Sequence, residues 1–162
     1  MIHPSKIKPG DTVGVVCLSS GVLGEPFVRH ERKLLEERLV QMGLKYKYMT
    51  NSLKGEEYLK EHPEKRVEDL REALLDDEVD IIWSALGGDD TYRTLPFLMN
   101  SDFKEIVIKH PKPFLGFSDT TNNHLMFYQL GLATFYAPAL LSDIAELGPE
   151  IFPYTKQWLN KL

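Results

Sequence analysis

The chain holds 162 residues, 43% of them hydrophobic, with 19 basic against 24 acidic side chains and a formal net charge of -5; this suits one domain that can bury its own core. An acidic balance with no basic stripe interleaved with aromatics excludes nucleic acid as the expected partner. One cysteine, Cys17, allows no internal disulfide and too few ligands for a Cys-based zinc site, and the short apolar run over 13–18 is too brief for a signal sequence or a membrane span, so a soluble cytoplasmic domain without a membrane partner is expected.

Strand and helix signals alternate along the chain. Residues 12–18 are rich in β-branched side chains and bounded by Pro9-Gly10 and Ser19-Ser20-Gly21, the pattern of a buried mid-sheet strand followed by a loop. Over 27–42 the apolar positions Val28, Leu34, Leu35, Leu39 and Met42 fall near helical spacing among charges, and Gly43 supplies a stop. A short strand at 44–49 and a polar loop at 51–62 come next. The helix expected over 63–75 turns Val67, Leu70 and Leu74 inward and Glu64, Lys65, Arg66 and Asp69 outward. Then follow a strand at 79–86, a helix at 89–99, a strand at 113–117, a helix at 120–130 and a strand at 133–136. The expected fold class is therefore α/β, a doubly wound and mostly parallel sheet of the flavodoxin-like or Rossmann-like three-layer kind. In such sheets ligands bind beyond the C-terminal strand ends, where Ser19-Ser20, Gly87-Gly88 and Ser118 would share one rim. The last stretch, 149–162, starts a helix and stops without a cap or partner element, an ending expected of a cut chain.

Two turns on that rim carry the chemistry. In Lys112-Pro113-Phe114-Leu115-Gly116-Phe117-Ser118-Asp119-Thr120-Thr121 an apolar strand runs into Gly-x-Ser and a polar helix start, the usual presentation of a serine nucleophile. The same serine would also serve as a helix N-cap. Leu86-Gly87-Gly88-Asp89-Asp90-Thr91 opens a helix after a buried strand, so its amides face an anion or a developing oxyanion; a tight turn capped by Asp89 or Asp90 is the plainer alternative. Together the Gly88 and Asp119 amides form the two-donor oxyanion hole that acyl transfer needs, with Gly87, Asp89 and Asp90 as substrate-binding candidates and no metal ligands. A base is missing from this pattern. His124 lies six residues past Ser118 on the same helix, about 9 Å along the axis and roughly 240° round it. His3, His30, His62 and His110 lie on other segments, none well placed to take the serine proton.

Four blocks in order resemble the serine peptidases of the LD-carboxypeptidase type, and within them the branch of microcin C self-immunity proteins. These are Ile7-Lys8-Pro9-Gly10-Asp11 with the 13–20 strand, Trp83-Ser84-Ala85-Leu86-Gly87-Gly88-Asp89-Asp90, Gly116-Phe117-Ser118-Asp119-Thr120-Thr121, and Thr134-Phe135-Tyr136-Ala137-Pro138-Ala139-Leu140-Leu141. The resemblance implies a cytoplasmic, cofactor-free hydrolase with a Ser-His-Glu triad, Ser118 matching the nucleophile and the Gly88 and Asp119 amides the oxyanion hole. Its substrates would be aminoacyl or peptidyl nucleotides in the immunity branch and L,D-linked muropeptides in the wall-recycling branch. It covers only the family's N-terminal half: residues 1–162 match the nucleophile-bearing domain, while the His and Glu belong to a C-terminal domain absent from this chain. The chain alone is then expected to be a very poor catalyst, with apolar surface exposed near 135–141 and 152–158 and a homodimer as one outcome. The glycine-aspartate turn is also similar to those of sugar-phosphate and NAD kinases, which keeps a phosphotransferase as an alternative; a small-molecule-binding domain that uses the same turn is the non-enzymatic one.

Overall fold

The computed structural model describes residues 1–161. Five strands, β1 (Thr12–Val16), β2 (Lys45–Tyr48), β3 (Ile81–Ser84), β4 (Phe114–Gly116) and β5 (Phe135–Tyr136), form one sheet in the order β2-β1-β3-β4-β5. Every pairing is parallel. This is the flavodoxin-like order expected of alternating strands and helices, and the chain reverses its direction of growth between β1 and β3.

Alternation along the strands divides the core between two faces. Val16, Ile82 and Phe114 point to one face and meet Val67, Leu70, Leu74, Phe103 and Phe127 from α3 (Pro63–Leu75), α5 (Ser101–Lys109) and α6 (Thr121–Leu130). Val13, Val15, Ile81, Trp83 and Leu115 point to the other and pack under Leu35 and Leu39 of α1 (Arg29–Gln41) and under Leu140 and Ile144 of a π-helical turn. Strands buried on both sides need an apolar side chain at almost every position, and β1 and β3 supply it.

Several expectations change in detail. The 51–62 segment is not all loop, because Glu56–Glu61 forms α2. The helix expected over 89–99 is a 3-10 turn, Thr91–Thr94, followed by the single turn α4, Leu95–Leu98, with Pro96 at its start. Proline cannot continue a hydrogen-bonded helix through that point. Helix α5 was not anticipated; Asn100 caps it by accepting from the Phe103 N–H at 2.9 Å. Arg66 and Asp69, expected outward, are fully buried. At the C-terminal end, α7 (Pro153–Leu159) leaves Phe152, Tyr154 and Trp158 exposed, as is Tyr136. Among the described residues no helix is long and apolar enough to cross a membrane.

Candidate active site

The C-terminal ends of β1, β3 and β4 are adjacent, so the loops that leave them share one rim as the alternation implied. Ser118 ends the β4 turn and is exposed. Its φ is +64°, the sole positive value among the non-glycine residues described. Left-handed backbone costs an L-residue about 1–2 kcal/mol, so the surrounding contacts must hold it there. The N-cap reading does not hold: Ser118 lies inside a 3-10 turn, Ser118–Thr120, whose N-cap is Phe117, and the serine hydroxyl makes no hydrogen bond among the described residues. A strained turn between strand and helix that lifts a free hydroxyl to the rim is the geometry of a nucleophile elbow.

Gly87 lies against this turn. A Cβ there would stand 3.0 Å from Ser118 Cβ, 3.1 Å from its Oγ and 3.3 Å from the Asp119 amide nitrogen. The space that Gly87 leaves empty is thus bordered by both the hydroxyl and the proposed oxyanion donor. Gly88 follows at φ +152° and packs its α-carbon onto Ser19 and the Ser20 amide, where a Cβ would collide.

Asp119 joins the loops. Its Oδ2 accepts from Ser19 Oγ at 2.6 Å and from the Thr91 N–H at 2.8 Å, and its Oδ1 accepts from Asn122 Nδ2 at 3.3 Å. Ser20 N–H donates to Gly87 O at 3.0 Å. One carboxylate therefore ties the β1 and β3 loops to the residue whose amide stands beside Ser118. Asp90 is engaged as well: Arg66 Nη1 and Nη2 donate to its two oxygens at 2.5 and 3.3 Å, and Arg93 adds a contact at 3.3 Å. That commitment leaves Asp89, exposed on the rim, as the carboxylate of the pair open to a ligand.

The histidine on α6 has both ring nitrogens engaged by groups other than Ser118. His124 Nε2 lies 2.9 Å from Gly116 O and its Nδ1 lies 2.8 Å from Thr134 Oγ1, so Nε2 donates to the carbonyl and Nδ1 accepts from the hydroxyl. Burial pushes the ring below the ordinary histidine value, against the opposing pull of the Gly116 carbonyl. Tyr136 lies closer to the serine. Its Oη accepts from the Ser118 N–H at 3.2 Å, and the Thr121 hydroxyl is shared between Ser118 O at 2.6 Å and Tyr136 Oη at 3.5 Å. Thr121 first, then the Ser118 amide, draw the Tyr136 hydroxyl below its ordinary value. Beside it, a cleft of about 510 Å³ is lined by Phe117, Tyr136, Pro138, Tyr154 and Trp158.

The structure brings Gly87 against Ser118 and the Asp119 amide, while Gly88 packs on the loop after β1 at Ser19 and Ser20. Ser19, expected on the rim, joins it through Asp119, and Arg66, Thr121 and Tyr136 lie around it without having been singled out as site residues. The family model of the LD-carboxypeptidase N-terminal domain matches residues 13–137. The chain belongs to this family. A probable murein peptide carboxypeptidase of Bacillus subtilis is 35% identical over 98% of this chain and 47% of its own length. The microcin C7 self-immunity protein MccF of Escherichia coli is 31% identical over 91% of this chain and 42% of its own. A crystal structure of an MccF-like protein from Streptococcus pneumoniae in complex with AMP superposes with a TM-score of 0.90 at 47% identity, over 94% of this chain and 44% of that one. The chain thus spans less than half the length of the relatives it matches.

Proposed function

We infer that this chain is the nucleophile-bearing half of a cytoplasmic serine peptidase that hydrolyses an amide or carboxamide bond. The observation that carries the reading is Ser118, held at φ +64° with a free hydroxyl beside the Asp119 amide. Ser118 Oγ attacks the substrate carbonyl while the Asp119 and Gly88 N–H groups receive the charge that develops on its oxygen. Two donors converging from different strand ends discriminate in favour of the tetrahedral state, because its oxygen carries more charge than the ground-state carbonyl. The serine proton must go to a base, and both ring nitrogens of His124 are occupied, on Gly116 O and Thr134 Oγ1. A His-Glu pair from a second, C-terminal domain supplies it in this reading. Without that pair the chain retains binding and oxyanion stabilisation but at most about a thousandth of the full rate.

Aminoacyl or peptidyl nucleotides are the favoured substrate class over L,D-muropeptides. The AMP bound to the 47%-identical MccF-like protein and the aromatic cleft beside Ser118 both suit a substrate that carries a nucleobase. Asp89 at the rim and the bare α-carbon of Gly87 contact the substrate near the reacting carbonyl.

The test is capture of Ser118 by a serine-directed phosphonate on residues 1–162, with and without added imidazole as a substitute base. Labelling that imidazole accelerates and Ser118→Ala abolishes is the expected result. Labelling indifferent to Ser118→Ala would end the nucleophile reading. Turnover of an aspartyl-adenylate analogue by the chain alone, at rates typical of complete enzymes, would end the half-site reading instead.

A further inference from the structure

Ser118 is held from both sides of its own backbone. On one side its N–H donates to Tyr136 Oη at 3.2 Å; on the other its carbonyl accepts from Thr121 Oγ1 at 2.6 Å; and the two hydroxyls approach one another at 3.5 Å, closing a ring of hydrogen bonds around the one strained non-glycine residue described. We propose that Tyr136 and Thr121 are positioning residues that clamp Ser118 in its left-handed conformation and so aim its hydroxyl at the substrate carbonyl. The proposal rests on the reading of Ser118 as nucleophile and adds to it the means by which an exposed, strained serine stays in place.

The fold makes this clamp rigid from outside. Tyr136 ends β5, where it pairs in register with Gly116 of β4 two residues before the serine, so strand pairing fixes the distance between the phenol and the elbow. Its ring packs edge-on against Phe117, with centroids 6.5 Å apart, and at a tilt against His124, with centroids 5.4 Å apart. His124 is itself anchored on Gly116 O and Thr134 Oγ1, on the strand before the elbow and beside β5. This assigns the α6 histidine a purpose that is not acid–base chemistry: it braces the ring that braces the serine. Thr121 is the first residue of α6, so its grip on the Ser118 carbonyl is set by the helix start. A shift of about 1 Å in a reacting atom can cost a hundredfold in rate, and a bond worth about one typical hydrogen bond corresponds to roughly a five- to tenfold change in the population of the aimed state.

Two readouts on residues 1–162 test the clamp. The first is amide hydrogen exchange at Ser118, an exposed residue whose protection comes from the Tyr136 bond; Tyr136→Phe keeps the ring and is expected to speed exchange about tenfold there while Val15 and Ile82 stay protected. The second is the phosphonate labelling rate in the presence of imidazole. Tyr136→Phe and Thr121→Val are each expected to lower the maximal labelling rate about five- to tenfold with the half-saturating concentration unchanged, and Thr121→Ser, which keeps the hydroxyl, to restore it. A general loss of structure would speed exchange at the core amides too and would not be rescued by serine. Unchanged Ser118 exchange in Tyr136→Phe overturns the clamp, as does unchanged labelling in both variants. If wild type is not labelled at all, the nucleophile reading has failed, and the exchange measurement still decides whether Tyr136 holds the Ser118 backbone.

Discussion

Replacing Asp90 by alanine isolates a buried charge whose cost can be worked out from its surroundings. The Arg66 side chain is 0% exposed, its Nη1 and Nη2 bind Asp90 at 2.5 and 3.3 Å, and its Nε is buried with no partner among the described residues. Removing the carboxylate leaves a buried guanidinium without its counter-charge. Breaking a buried pair from one side costs about 3–5 kcal/mol. The second cation, Arg93, is 36% exposed and recovers hydration, so its share is about 1 kcal/mol or less. The expected loss for Asp90→Ala is thus about 4 kcal/mol, a shift of roughly 8–16 °C in Tm for a domain of this size. Urea unfolding followed by circular dichroism measures it, with Arg93→Ala as the control. The double replacement Asp90→Ala with Arg66→Met should recover most of the loss, because an apolar side chain of similar volume tolerates the site that a lone charge does not. A loss below about 1 kcal/mol for Asp90→Ala at an unchanged denaturant slope would show that Arg66 finds water in solution, and the argument from burial would be wrong.

Gly87→Ala places a methyl group 3.1 Å from Ser118 Oγ and 3.3 Å from the Asp119 amide; the fold should survive with a loss near 1 kcal/mol, while imidazole-assisted labelling of Ser118 falls about a hundredfold because the oxyanion space is filled. Ser118→Gly, which adopts φ +64° without strain, should be about 1 kcal/mol more stable than Ser118→Ala in the same unfolding assay; equal stabilities would mean that the turn relaxes in solution. Asp69 is fully buried, accepts at Oδ1 from the Asn51 N–H and side-chain amide at 2.9 and 2.8 Å, and has no partner at Oδ2 among the described residues. Burial, opposed by those two bonds, raises its carboxyl to about 6, so the native state holds the proton more tightly than the unfolded chain. Its contribution to stability is present below pH 4 and is lost as pH rises through 6, by about 3 kcal/mol. The stability of Asp69→Asn relative to wild type should therefore increase across that interval, and a flat difference would refute the assignment.

The architecture was legible because it depends on short-range pattern. Apolar runs at 13–18 and 81–85 with helices between them leave little besides a parallel sheet buried on both faces, and the topology then brings the loops after β1, β3 and β4 together. Gly116 was also readable: an added Cβ would stand 2.8 Å from Thr120 Oγ1, the crowding of strand against helix that Gly-x-Ser implied. What stayed hidden depends on partners far along the chain. Arg66 sits in a Glu64-Lys65-Arg66 run that resembles a solvated face, yet it shares a helical stripe with Leu70 and Ala73, four and seven residues on, and that spacing was the available signal. Its partner Asp90 is 24 residues away and no local pattern pairs them. Helix α5 had a signal that went unused, an Asn100 cap followed by Phe103, Ile106 and Val107. The positive φ of Ser118 has no signature in residue preference, since serine does not favour it; only the Gly-x-Ser turn between strand and helix pointed to it.

The positions where local preference fails are those that build the site. Serine disfavours φ +64°, and a fully buried arginine beside a buried, half-satisfied aspartate on one helix is costly in any fold. Each such departure is compensated by a bond to a different element: Ser118 by Tyr136 at the end of β5 and Thr121 at the start of α6, Arg66 by Asp90 after β3, Asp69 by Asn51 after β2. Asp119 then links the β4 turn to the loops after β1 and β3. Ser118 and the Asp119 carboxylate are thus held by bonds within residues 1–161 themselves. Under the proposed function a base has only to reach a hydroxyl these bonds already hold, which is why free imidazole is expected to raise Ser118 reactivity without any change in the fold.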